Sequence, residues 1–223
     1  MQHLYPLKEA FEQHADPVRA AGARAYMKNI APFYGISAPV RTQLLKEFHQ
    51  NWGYISPESA GEMIEYTWSQ TEREWQYAGM EMLAGVARKS DEKLLPLATY
   101  MITHKSWWDT VDYIAPNIAG VILKRKPELI PGLISEWMKS GNLWLMRSCL
   151  LFQLKYRDNT DEALLFSLCE RLAGHDDFFI RKAIGWSLRE YSKRKPATVI
   201  EFVQSHELSG LSRREALKRI DKL

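Results

Sequence analysis

The sequence predicts an all-α chain, an α-solenoid of about six two-helix repeats stacked into a single curved domain over residues 1–223. Three observations predict it. Strand signals are nearly absent, with no alternating apolar runs and no Asn-Gly or Asp-Gly hairpin pairs. Helix-start signals recur in two interleaved sets. Within a segment the apolar residues keep helical spacing, as in Trp75, Ala78, Met82, Leu83 and Val86.

Along the chain the starts are Asp16 (before Pro17), Ser37, Ser56 (before Pro57), Thr71, Asp91 and Ser106, then Pro127, Asn142, Thr160, Asp176, Pro196 and Ser212. A short side-chain oxygen at such a position accepts from N–H groups that the first turn leaves unpaired, and proline's fixed φ suits the first helical residue. Thr71/Glu74, Ser106/Asp109 and Ser212/Glu215 read as capping boxes. The set Ser37, Thr71, Ser106, Asn142, Asp176, Ser212 is spaced 34, 35, 36, 34 and 36 residues apart, and the other set 40, 35, 36, 33 and 36. Two helices every 35 or so residues is the period of HEAT-like and armadillo repeats. No helix pair there buries its own apolar face, so neighbours stack and each set forms one wall. Nothing reads as a linker.

Hydrophobic residues make up 46% and charged residues 26%, the balance of a globular chain. Two cysteines, Cys149 and Cys169, build no disulfide framework and have no ligand cluster around them, so neither metal nor cofactor is expected and a reducing, cytoplasmic setting is. The opening MQHLYPLKEAFEQH does not read as a signal peptide, and no stretch reaches the roughly 18 apolar residues of a membrane span. The net charge of +3 is uneven: residues 1–100 hold 10 Lys+Arg against 12 Asp+Glu, and residues 101–223 hold 20 against 15. That basic excess suits a polyanionic partner without demanding one. There is no P-loop, G-x-G-x-x-G, H-E-x-x-H or G-x-S-x-G, and the six histidines show no metal-ligand spacing. Any catalysis falls to carboxylates, arginines and aromatics.

The residues that need explaining lie on the second set of helices. After Ser106 the chain reads SWWDTVD, which puts Trp108 and Asp112 on one helix face, four residues apart. After Asn142 it reads LWLMRSCLLFQLKY, with Arg147 alone in an apolar stretch. After Asp176, Lys182, Trp186, Arg189 and Lys193 form one stripe at spacings of 4, 3 and 4. Cations in such a stripe can bind phosphates, and indoles can stack on a base or sugar. Other readings stay open. Five or six of the eight tryptophans would be core on composition alone, Arg147 could pair with a carboxylate on a neighbouring helix, and Asp112 could cap a helix or pair with a lysine.

The segments KSWWDTVD (105–112), LWLMRSCLLFQLKY (143–156), FFIRKAIGWSLREY (178–191), ARAYMKN (23–29) and FYGISAPVRTQLLK (33–46) resemble the AlkD-type DNA alkylation repair glycosylases. The resemblance implies a HEAT-like repeat fold with a concave DNA-binding groove, and a base-excision-repair enzyme that removes cationic alkylated purines such as 3-methyladenine and 7-methylguanine from duplex DNA. It implies that Trp108 and Trp186 are the aromatic walls of the lesion site, Asp112 the catalytic carboxylate and Arg147 the active-site arginine, holding a phosphate. It also implies that Tyr26 lies near the DNA backbone. Lys105, Lys155, Lys182 and Arg189 complete the expected DNA-binding set, on a chain expected to act as a monomer. The competing class is a non-catalytic HEAT-like module that binds nucleic acid or protein, which would not need Asp112 beside Trp108.

Overall fold

In the computed structural model the described residues are 4–89 and 92–220, and every regular element among them is helical. The chain's internal contacts divide it into two compact units, Met1–Leu97 and Ala98–Leu223.

The first unit holds α1 (Tyr5–Gln13), α2 (Pro17–Tyr26), α3 (Ala38–Trp52), α4 (Ala60–Ser69) and α5 (Arg73–Ala87). Helices α1 and α4 pack on α3 and α5 respectively, and α3 packs on α5. Phe11, Leu44, Phe48, Ile64, Trp75 and Leu83 are buried at these contacts. α2 is capped by Asp16, whose carboxylate accepts from the N–H groups of Val18 and Arg19, yet none of its residues is buried. The loop after α2 is held by α5. The Glu74 carboxylate, itself buried, accepts the N–H groups of Tyr34 (3.1 Å), Gly35 (2.8 Å) and Ile36 (3.1 Å). Gly35 has φ +88°, and a Cβ there would stand 2.2 Å from the Asp16 carbonyl oxygen, so both backbone and space require glycine.

α6 (Leu95–Thr103) crosses the boundary between the units. The second unit continues with α7 (Trp108–Ile114), a π-turn (Ala115–Ala119), α8 (Gly120–Arg125), α9 (Ile130–Lys139) and α10 (Leu143–Leu151). It ends with α11 (Glu162–Arg171), α12 (Phe178–Tyr191), α13 (Pro196–Ser205) and α14 (Gly210–Leu217). Within it α7 packs on α10, α10 on α12 and α12 on α14, while α9 and α11 pack on α10 and α13 on α12 and α14. α10 and α12, and α12 and α14, each two helices apart in sequence, thus meet side by side, as a two-helix period requires, and α7 does the same with α10 when α7 and α8 are taken as one helix interrupted by the π-turn. Cys149 and Cys169 are both buried, which pushes each thiol up to about 12.

The starts at Asp16, Asn142 and Pro196 stand where expected, Asn142 accepting from the N–H groups of Trp144 and Leu145. At Thr160 and Asp176 the capping carboxylate belongs to the next residue, Asp161 or Asp177, and after Ser56 the α-helix begins only at Ala60. Asp91 lies outside the described residues.

The three capping boxes are not formed, because Glu74, Ser106, Asp109, Ser212 and Glu215 each have a tertiary partner or another local one. Glu74 holds the loop just described. Ser106 donates to the carbonyl of Ile102, and Asp109 accepts from the N–H of Thr110. Ser212 lies inside α14, where Ser209 is the cap, and its hydroxyl donates to the carbonyl of Arg181. The tryptophans divide differently from expectation too: Trp68, Trp75 and Trp137 are buried, Trp52 is exposed, and Trp107, Trp108, Trp144 and Trp186 are half-buried.

Removing the Glu74 carboxylate strands three N–H groups, two of them buried, so Glu74→Ala should lower the unfolding free energy by about 2–4 kcal/mol. Urea unfolding measures this. A loss under about 1 kcal/mol would mean that water replaces the carboxylate without penalty.

Candidate active site

The site is built from one end of α7. Pro116 lies one turn after Asp112, and in a regular helix its ring would press on the Asp112 carbonyl while its missing N–H left that carbonyl unpaired. The chain answers with the π-turn over Ala115–Ala119. Gly120, directly after it, lets α8 approach the end of α10: a Cβ there would sit 2.2 Å from the Phe152 carbonyl oxygen. The Tyr156 hydroxyl closes this contact by donating to the Gly120 carbonyl at 2.8 Å.

That approach brings Asp112 of α7 against Arg147 of α10. Arg147 Nε donates to Asp112 Oδ1 at 2.7 Å, and Nη2 donates to Oδ2 at 2.8 Å, a bidentate pair. Arg147 Nη1 donates to the main-chain carbonyl of Phe179 at the start of α12. The arginine is 3% exposed, whereas the Asp112 side chain keeps 17% of its surface open. Burial pushes the Asp112 carboxyl above its ordinary value, outweighing the downward pull of the Arg147 guanidinium, and the Asp109 charge adds to the rise. The Arg147 guanidinium is thus directed at Asp112 and the Phe179 carbonyl, where a phosphate was the expected partner.

An aromatic cluster adjoins the arginine. Trp107, Trp144 and Phe179 meet edge-on or tilted, with centroids 5.0–5.7 Å apart. The Phe179 ring lies 5.9 Å from the Arg147 guanidinium carbon. Trp108 opens α7, one turn before Asp112, and is half-buried. Trp186 is half-buried on α12. The cluster of Trp107, Trp144 and Phe179 was missed in the sequence, where only its residue types, in WWD, LWL and FF, hint at it.

Of the expected stripe, Lys182, Trp186 and Arg189 lie on α12, whereas Lys193 lies past its end at Tyr191 and pairs with Glu190; the two cations on the helix are themselves partly neutralised. Lys182 Nζ lies 2.7 Å from Glu215 Oε1, and Arg189 pairs with Glu215 Oε2. The Lys182 hydrogen bond, with Arg189 beside it, holds the Glu215 carboxyl below the ordinary carboxylate range against the opposing effect of burial. Glu215 is thus a third member that sequence reasoning had assigned to a cap. Lys155 is exposed and donates to Asn117 Oδ1 at 2.6 Å, within the π-turn. Lys105 is exposed with φ +51°, in the turn that leads to α7. Tyr26, at the end of α2 in the other unit, is 71% exposed. Among the described residues no group of three or more His, Cys, Asp or Glu could hold a metal ion, and no helix is long and apolar enough to cross a membrane.

Residues 7–220 match the family model of the DNA alkylation repair enzymes. Among solved structures, one described as a predicted DNA alkylation repair enzyme from Enterococcus faecalis superposes with a TM-score of 0.82 at 35% identity, covering 94% of this chain and 98% of that one. No curated protein matches.

Taking away the guanidinium leaves a buried carboxylate unpaired, so Arg147→Ala should cost about 3–5 kcal/mol at neutral pH. Without the arginine the folded-state pKa of Asp112 stands still further above its unfolded value. The penalty is then full above the folded pKa and shrinks as pH falls through it. Unfolding measured from about pH 7 down to about pH 4 should show the gap to the parent narrowing. A gap that stays constant would separate the lost stability from the Asp112 charge.

Proposed function

The chain belongs to the DNA alkylation repair enzyme family, and we propose that it is a monofunctional DNA glycosylase of base excision repair. It hydrolyses the N-glycosidic bond of cationic N3- and N7-alkylated purines in duplex DNA, 3-methyladenine and 7-methylguanine among them. The observation that carries this reading is the Asp112 carboxylate, clamped from behind by Arg147 and open on one part of its surface, one turn from Trp108.

An N3- or N7-alkylated purine already carries a positive charge and leaves without strong general-acid help. What remains is to stabilise the sugar as its glycosidic bond stretches and cationic character develops. A fixed carboxylate does this electrostatically and can orient the attacking water. Arg147 is a positioning residue here: it holds both Asp112 oxygens in a set plane, so little reorganisation is needed as charge develops. The indole faces of Trp108 and Trp186 supply cation–π attraction to the charged lesion or sugar, on the order of 0.5–2 kcal/mol each. Lys105, Lys155, Lys182, Arg189 and Tyr26 take the DNA backbone. The Lys182, Arg189 and Glu215 triad carries a net single positive charge, which keeps its grip on phosphate moderate.

Asp112→Asn should slow release of 7-methylguanine from duplex DNA by about 10²-fold or more while leaving DNA binding nearly intact. Asp112 acts ionised and burial raises its carboxyl above the ordinary aspartate value, so the parent rate should fall on the acid side at a higher pH than an ordinary aspartate would set, and the variant should lack this limb. Single-turnover assays with 7-methylguanine and uracil duplexes test the leaving-group argument, uracil being left in place. Equal excision of uracil would require a general acid and defeat the mechanism. Tight binding without any release would favour the non-catalytic module.

Lys182→Ala and Arg189→Ala should each weaken binding to any duplex and lower the log–log salt slope by roughly 0.9. Glu215→Gln should do the reverse, tightening binding and steepening the slope, because it raises the triad's charge from +1 to +2. An unchanged slope in Glu215→Gln would place this face off the DNA.

A further inference from the structure

The first unit contains a cleft of about 640 Å³ between α3, α5 and the loop after α3, within the size range of small-ligand sites. Its floor is apolar, formed by Leu45, Ile55, Met82 and Val86. At its mouth the Tyr54 ring, 82% exposed, stacks on His49 with centroids 4.5 Å apart and planes 17° apart. Lys46 and Lys89, both exposed, bring two cations to the lining. The one carboxylate among the lining residues, Glu81, is engaged by Arg41 at 2.8 Å.

Gly85 of α5 also faces this space. Glycine is among the poorest helix formers, and its neighbour in the same helix shows what usually justifies one: a Cβ on Gly79 would come 2.4 Å from Thr67 Oγ1. A Cβ on Gly85 would meet nothing within 4 Å. Packing within the protein does not call for this glycine, and its effect is to keep the cleft open.

We propose that the cleft binds a nucleoside 5′-phosphate, either free or as the unpaired terminal nucleotide of a DNA strand. A bare phosphate would make no use of the apolar floor, and a neutral aromatic would make no use of the cations. A planar base carrying a phosphate uses both, with the base over the floor beside Tyr54 and the phosphate toward Lys46 and Lys89. The site lies wholly within residues 42–89. Its test reads binding rather than base release, so it stands or falls apart from the role of Asp112.

Calorimetric titration of the full chain with adenosine 5′-monophosphate should give a Kd below about 1 mM, with adenosine and inorganic phosphate each at least about tenfold weaker. Gly85→Leu, which fills the cleft from a helix position with open space around it, should melt no lower than the parent and weaken the nucleotide at least about tenfold. Lys46→Ala, an exposed change, should weaken the nucleotide but not adenosine. A duplex with a single-nucleotide overhang that displaces the monophosphate would assign the site to strand ends, and failure to displace it would assign the site to free nucleotides. No binding of the monophosphate, unchanged binding in Gly85→Leu, or equal binding of adenosine and its monophosphate would each overturn the proposal.

Discussion

One guanidinium ties three helices together. Arg147 sits on α10, grips the carboxylate of α7 with two of its nitrogens and the main chain of α12 with the third. Taking two charges out of water costs several kcal/mol per ion, and a bidentate pair with a backbone acceptor roughly offsets that cost without a large surplus. A set of apolar side chains could hold α7, α10 and α12 equally well. What apolar residues could not supply is a carboxylate kept at a set position and angle, with part of its surface open. The pair therefore says more about charge placement than about stability. Its surroundings serve the same end: the π-turn relieves Pro116, Gly120 lets the backbones close up, and the aromatic cluster walls off one side of the arginine.

Carboxylates organise the rest of the chain as well, each in a different currency. Glu74 satisfies backbone, replacing for a loop the hydrogen bonds that a helix or strand would have given it. Glu215 satisfies side chains, setting two cations of α12 side by side at less repulsion than they would otherwise feel. Asp112 is satisfied by one partner and keeps an open portion. The three differ in what is left over: nothing for Glu74, a net positive charge at Glu215, and exposed carboxylate surface at Asp112.

The helical period was legible because it depends on apolar spacing and on proline and short polar residues, which are local. Most helix starts fell within a few residues of the expected place for the same reason. The capping boxes were not legible. Glu74 reaches a loop 38–40 residues back, and Glu215 reaches cations 26 and 33 residues back, and local rules take no account of such distances. Asp112 and Arg147 could be singled out as unusual, and a carboxylate partner for the arginine could be foreseen, but not that each would be the other's partner 35 residues away. The Phe179 carbonyl was invisible in principle, since every residue has one. Pro116 inside a helical segment was the one local sign of the π-turn.

The two cysteines bear on the conditions in which such a protein works. Methylating agents that damage DNA also attack thiolates, which are better nucleophiles than the ring nitrogens of purines. Cys149 and Cys169 are packed in the core with their thiols pushed up to about 12. Burial disfavours the thiolate, the reactive form, and shields both sulfurs from solvent. The packing that fills the second unit thus also makes its two sulfurs poor targets for electrophiles of the kind whose DNA damage this family repairs.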